Sequence, residues 1–224
     1  ERLDSLMITP RVLEPVLSEI ESGGMACKAV LRHCVCIGEA LGAETARRFL
    51  SVMGAAAPQI HNVYGPSEAS CTVWSSPPGV PSTSGFVLAG KPQPHVFVRL
   101  LRKEVDSSGK VAGWSPVPAG QEGEIFLGGV LSSGYLGRPE ETAAKFVEIP
   151  GVEGRMYGTG DLGRLLDGEL QVLGRIDRQL NVSGVRIEPG EIEASLKKVA
   201  KEACVVAAGS PDKLCAFLLL RDGN

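Results

Sequence analysis

The sequence predicts an α/β protein in three parts: a parallel α/β layer, a small β-barrel-like unit, and the start of a small α+β unit. Three observations carry this expectation. An apolar stretch at Ala29–Ile37 and a second at Gln59–Val63 flank an amphipathic stretch at Glu44–Met53, the strand–helix–strand order of a parallel layer. From Pro77 to Pro94 the composition turns to Pro, Gly and Ser, which marks a loop entering another unit. Short apolar runs separated by turns follow it. The predicted boundaries are 1–84, 85–174 and 175–224.

The elements follow in order. Thr9-Pro10 reads as an N-cap with proline at the first helical position, and Leu13, Val16, Leu17 and Ile20 then recur at helical spacing. Pro15 predicts a short or distorted helix, and Gly23-Gly24 ends it. Past the Pro/Gly/Ser stretch, strands are predicted at Val96–Leu101, Gly123–Leu127, Leu162–Leu166 and Gly168–Gly174. Leu180–Val182 and Val185–Ile187 flank Ser183-Gly184 as a hairpin. A last helix begins at Pro189, with Glu191 and Glu193 early and Lys197 and Lys198 late, the order the helix dipole favours. Glu193–Lys197 has the spacing of an i,i+4 ion pair, and Ile192, Leu196 and Val199 form the apolar stripe. Strands at Ala203–Ala208 and Leu214–Leu220 complete the pattern.

Composition narrows the function classes. The chain has 224 residues, 43% hydrophobic and 22% charged, with a net charge of −3, which points to neither nucleic acid nor an anionic membrane. No apolar run approaches the roughly 18 residues of a membrane span. The six cysteines show no CxxC pair. Cys34 and Cys36 are two residues apart in a predicted strand and so share a face, which favours buried thiols over a metal site at His33–Cys36. Reduced thiols fit a cytoplasmic protein.

Four motifs recur in a fixed order. Asn62-Val63-Tyr64-Gly65-Pro66-Ser67-Glu68 comes first, then Gly123-Glu124-Ile125-Phe126-Leu127-Gly128-Gly129 leading to Gly134-Tyr135-Leu136. Tyr157-Gly158-Thr159-Gly160-Asp161-Leu162 follows, and Gly174-Arg175-Ile176-Asp177-Arg178-Gln179 runs into Ser183-Gly184-Val185-Arg186-Ile187-Glu188-Pro189-Gly190-Glu191-Ile192-Glu193. In this order they resemble the central and late motifs of the adenylation domains of nonribosomal peptide synthetases, adenylate-forming AMP-binding enzymes. The resemblance implies a chain that forms part of a domain making an aminoacyl adenylate from an amino acid and ATP with Mg2+. It implies loading onto the phosphopantetheine of a peptidyl carrier domain, with a condensation domain as a further partner.

The resemblance assigns the nucleotide to Asn62, Tyr64, Gly65, Ser67, Asp161 and Arg175, and catalysis to Ser67, Glu68 and Arg175. Each residue type suits its task. Tyr64 offers a flat π face to a base, a stack worth about 1–3 kcal/mol. Ser67 can donate to a phosphate oxygen, and Glu68 is a hard oxygen ligand suited to Mg2+. Gly65 and Pro66 make a tight turn beside the nucleotide. Asp161 can accept from both ribose hydroxyls, and Arg175 can fork onto ribose or phosphate oxygens. The resemblance makes Asp177 the hinge of a mobile C-terminal unit and puts Gly184 on a pantetheine tunnel. It points to an acyl pocket at Met7, Val35, Ile37, Val63, Cys71 and Thr72, mostly apolar, and so to an amino acid with an apolar side chain.

The sequence also departs from the family pattern. Ser132-Ser133, Gly158, Asn181 and Ser183 stand where relatives carry Ala-Arg or basic residues, and Val172 where many carry an aromatic. The family's phosphate loop and its lysine are expected before Glu1 and its C-terminal lysine after Asn224, so the segment alone is expected to lack adenylation activity. Two alternatives stay open on these residues: an acyl- or aryl-CoA ligase of the same superfamily, and a non-catalytic remnant.

Overall fold

A computed structural model describes residues 4–23, 31–54, 57–69, 73–75, 85–182, 184–208 and 213–220. The chain divides into two compact units, residues 1–176 and 177–224. Parallel and antiparallel sheets occur together in a mixed α/β architecture. No helix among the described residues is long and apolar enough to cross a membrane.

The first unit opens with strand β1 (Ser5–Ile8), helix α1 (Pro10–Glu21), strand β2 (His33–Ile37), helix α2 (Ala43–Met53) and strand β3 (Gln59–Tyr64). β1, β2 and β3 run parallel, with Met7 opposite Val35 and Val35 opposite His61. The short strands β4 (Val73–Ser75) and β5 (Lys91–Pro92) extend this sheet antiparallel. Alternation sorts its faces. Ile8, Cys34, Cys36 and Ile60 point to one side and pack with Leu13 and Leu17 of α1 and with Ala46 and Phe49 of α2. Burying each large apolar side chain there contributes about 1.5–3 kcal/mol. Met7, His33, Val35, Ile37, His61 and Val63 take the opposite face by register.

The helices differ from expectation in detail. α1 runs unbroken through Pro15 for 12 residues. Pro15 lies on the exposed side, where the helix can do without its amide donor, while Leu13 and Leu17 anchor the other side. Thr9 occupies the N-cap position without a side-chain cap bond, and its carbonyl accepts from Val12 and Leu13. No sequence period marks β1, whose four residues are too few to show one.

The rest of the first unit is a six-stranded antiparallel sheet. Its strands are β6 (Val96–Val105), β7 (Val111–Pro116), β8 (Gly123–Gly129), β9 (Phe146–Glu148), β10 (Arg155–Leu166) and β11 (Glu169–Arg175), with helix α3 (Pro139–Lys145) before β9. Its path is β11-β10-β8-β6-β7, with β9 also paired to β10. β7, α3 and β9 were not anticipated, and β10 begins at Arg155 rather than Leu162. Interior residues Val98, Leu100, Ile125, Leu127 and Leu170 form the core, against which Tyr64 packs.

The second unit holds the hairpin β12 (Leu180–Val182) and β13 (Val185–Ile187), helix α4 (Pro189–Leu196), and the hairpin β14 (Glu202–Ala208) and β15 (Lys213–Leu219). Val182 pairs with Val185, the register expected around the two-residue loop. α4 stops before Lys197 and Lys198. Val199 therefore lies beyond the helix and is 67% exposed, while Ala200 is buried in its place. Glu193 meets Arg178, Nη2 to Oε1 at 2.6 Å, and Lys197 stands 3.3 Å from Glu202, so tertiary partners join the helical pair, in which the Lys197 charge still helps hold the Glu193 carboxyl low.

Candidate functional site

The site grows from an irregularity in β10. Gly158 pairs with Phe126 and Leu162 with Glu124, so four steps along β10 match two along β8. The excess is taken up at Thr159-Gly160-Asp161, and Gly160 takes φ +74° to allow it. Gly160 N–H donates to Glu124 Oε1 at 3.1 Å, and the Gly160 carbonyl accepts from Ile176 N at 3.0 Å. The Thr159 hydroxyl donates to the Ile125 carbonyl at 2.8 Å and accepts from Asp161 N at 3.0 Å. These bonds make the bulge a fixed mount for the Asp161 side chain.

Two residues hold that carboxylate. Tyr64, the last residue of β3, donates its hydroxyl to Asp161 Oδ2 at 2.5 Å across 97 residues of sequence. Arg175 lies directly opposite Asp161 in the β10–β11 register, and its Nη1 is 2.9 Å from Asp161 Oδ1. The same nitrogen donates to the Thr159 carbonyl at 2.9 Å. Burial pushes the Tyr64 phenol well above its ordinary range, and the neighbouring Asp161 charge pushes the same way. Tyr64 therefore stays a neutral donor, with its ring partly exposed.

A second cluster begins one turn later. Ala69 N bonds to the Pro66 carbonyl at 3.0 Å, so Ser67 and Glu68 occupy the middle of a tight turn, with Ser67 exposed. Tyr135 donates its hydroxyl to Glu68 Oε1 at 2.8 Å, and the Tyr157 hydroxyl lies 3.4 Å from that of Tyr135. Burial, then Tyr157 and Glu68, push the Tyr135 phenol up. All three tyrosines of the chain thus belong to these two clusters.

The remaining expected positions divide. Asn62 is 6% exposed and donates its amide to the Val87 and Leu88 carbonyls, both at 3.1 Å, tying β3 to the following loop. Met7, Val35, Ile37 and Val63 share the sheet face away from α1 and α2, with Val35 and Val63 buried and Met7 67% exposed. Cys71, Thr72 and Ser183 lie outside the described residues. Asp177 begins the second unit and accepts from Gln179 N at 3.1 Å. Gly184 takes φ +77° in its hairpin turn. On the same sheet face as Met7 and Val35, His33 Nδ1 and His61 Nε2 are 2.9 Å apart. Thr159, Glu124, Tyr135 and Tyr157 lie inside the four motifs, whose resemblance assigns them no role. The scarcity of tyrosine, three in the whole chain with each in a motif, was the available signal.

Single carboxylates, not a metal cage, face these clusters: no group of three His, Cys, Asp or Glu side chains suited to a metal occurs among the described residues. Glu68 alone matches the habit of Mg2+ of taking one or two protein carboxylates and filling its remaining places from water and phosphate.

A family model described as AMP-binding enzyme matches residues 1–136. Enterobactin synthase component F of Escherichia coli (strain K12) is 36% identical over 213 residues, covering 87% of this chain and 16% of that protein. Bacitracin synthase 3 of Bacillus licheniformis is 38% identical over 228 residues, covering 96% of this chain and 3% of that protein. The chain therefore spans less than a fifth of either relative's length. Among solved structures, it resembles the Vibrio cholerae adenylation domain AlmE in complex with glycyl-adenosine-5'-phosphate. That likeness has a TM-score of 0.75 and 26% identity, and covers 96% of this chain and 41% of that one.

Proposed function

The chain belongs to the family of AMP-binding enzymes, and on that premise we propose that it is part of a domain that activates an amino acid as its AMP ester and passes the acyl group to a phosphopantetheine thiol. The carrying observation is the Tyr64–Asp161–Arg175 constellation. Each Asp161 oxygen accepts one bond, from Tyr64 or Arg175, and retains lone-pair capacity for a ribose hydroxyl. The Tyr64 ring is fixed against the core and partly exposed, fit to stack on adenine. Relatives named as enterobactin and bacitracin synthases, and a structural neighbour holding a glycyl adenylate, support an aminoacyl product.

In the proposed reaction an oxygen of the amino acid carboxylate attacks the α-phosphorus of ATP, and the bond to pyrophosphate breaks. A pantetheine thiolate then attacks the acyl carbonyl and AMP leaves. Positioning and fixed charge are the chain's contributions. Tyr64 and Asp161 orient the nucleoside, Arg175 supplies a permanent cation beside it, and Ser67 offers a hydroxyl to phosphate from its exposed turn. Glu68 is the residue that would hold Mg2+, whose charge offsets that of the phosphates.

The apolar side chains Met7, Val35, Ile37 and Val63, on the face they share with His33 and His61, support an apolar amino acid. Asp177 is proposed as the pivot of the second unit, which it begins, and Gly184 as a point of close approach for pantetheine. Carrier and condensation domains are the proposed partners.

The test is ATP–pyrophosphate exchange across a panel of amino acids, in a polypeptide carrying this segment with its flanking sequence. Exchange with an apolar amino acid is expected, and Asp161→Asn should raise KM for ATP about 10- to 100-fold, the worth of hydrogen bonds to a charged group. An unchanged KM would remove the ribose role, and a charged amino acid as best substrate would remove the pocket reading.

A further inference from the structure

We propose that Tyr135 is a positioning residue for Glu68, and that helix α3 sets Tyr135 through Thr142. The proposal rests on the reading of Glu68 as the Mg2+-facing carboxylate.

Glu68 sits on a turn, and a glutamate there has three side-chain torsions to settle. One short segment grips it twice. Ser132 N donates to the Glu68 backbone carbonyl at 2.8 Å, and the Tyr135 hydroxyl donates to Glu68 Oε1 at 2.8 Å. Both bonds come from the stretch between Gly129 and Gly134-Tyr135, where this sequence departs from the family pattern with Ser132-Ser133.

Tyr135 is itself held from three sides. Its N–H donates to Thr142 Oγ1 at 2.9 Å, and that hydroxyl donates to the Arg138 carbonyl at 2.9 Å. Its ring meets Phe146 edge-on, with centroids 5.8 Å apart, and Phe146 meets the buried Tyr157 ring at 5.0 Å. Its hydroxyl lies 3.4 Å from that of Tyr157. The close approach of the Tyr135 segment to α3 depends on Gly134. That residue takes φ +136°, and a Cβ on it would stand 2.3 Å from Thr142 Cγ2.

The chain of restraint runs from α3 through Thr142 and Tyr135 to one oxygen of Glu68. A carboxylate has about four acceptor sites. The phenol occupies one of them and sets the direction of the group. Orientation fixed in advance spares the site the cost of ordering Glu68 when metal and nucleotide arrive.

The test is calorimetric titration of a polypeptide carrying this segment with its flanking sequence, with ATP at graded Mg2+ and with AMP in the absence of metal as reference. Tyr135→Phe keeps the ring against Phe146 and removes only the hydroxyl. It should raise the Mg2+ concentration for half-maximal ATP binding about tenfold, the loss expected for one hydrogen bond to a charged group, and leave AMP affinity unchanged. Thr142→Val should shift the same Mg2+ midpoint in the same direction. Glu68→Gln separates the two readings. If it shifts the Mg2+ midpoint and Tyr135→Phe does not, the positioning role is overturned while the metal assignment stands. If Glu68→Gln leaves the midpoint unchanged, the metal assignment itself falls. Equal loss of AMP and ATP binding in Tyr135→Phe also overturns the proposal, because it marks general damage to the site.

Discussion

Asp161 and Arg175 face each other across β10 and β11, with Arg175 Nη1 2.9 Å from Asp161 Oδ1 and both side chains largely withdrawn from water. Arg175 also anchors the bulge through the Thr159 carbonyl, so a single guanidinium braces both the carboxylate and its mount.

Removing that guanidinium tests the brace. Arg175→Met should lower unfolding free energy by about 1.5–3 kcal/mol, the range for hydrogen bonds to charged groups. Tyr64→Phe, which removes one donor and keeps the ring, should cost less. Urea denaturation of the two variants measures the order, and equal losses would contradict it.

Acid should weaken the first unit through His61. Burial, then the nearby His33, hold the His61 imidazole below its ordinary value of 6.5. The folded chain thus binds this proton less readily than the unfolded chain. The stability this contributes is present above pH 6.5 and is lost as pH falls through the lowered folded-state value. The urea midpoint should decline from pH 7 toward pH 5, and His61→Gln should flatten that decline. An equally steep decline in the variant would show that other groups drive it.

Two glycines with similar left-handed backbones should respond differently to alanine. Gly129 takes φ +103°, and a Cβ there would stand 2.1 Å from the His95 carbonyl oxygen; Gly109 takes φ +81° with open space around it. Gly109→Ala should cost about 1–2 kcal/mol from backbone conformation alone. Gly129→Ala should cost clearly more, because backbone of β6's approach must shift. Thermal unfolding of both variants reads the difference.

In the second unit Glu193 ties α4 to β14. Its Oε1 accepts from Val205 N at 2.8 Å as well as from Arg178, and Arg178 holds its carboxyl below the usual carboxylate range. Glu193→Gln should speed hydrogen exchange at the Val205 amide while exchange in β10 stays unchanged. No change at Val205 would mean that strand pairing alone protects it.

The sequence by itself determined the strands at Gln59 and Leu180, the hairpin register at Val182–Val185 and the buried face of Cys34 and Cys36. These follow from side-chain period and turn chemistry within a few residues. Motif order was equally legible, and it placed the chain in its family. The tertiary structure alone decided which motif residues touch. The Thr159–Asp161 bulge exists only as a mismatch between β10 and β8, so β10's own residues do not reveal it. Tyr64 reaches Asp161 across 97 positions and Tyr135 reaches Glu68 across 67, and no local period encodes pairing at such separations. Val199 departs from the helical stripe for the same reason: helical spacing describes neighbours on one element, whereas burial beside α4 is settled by the strands packed against it.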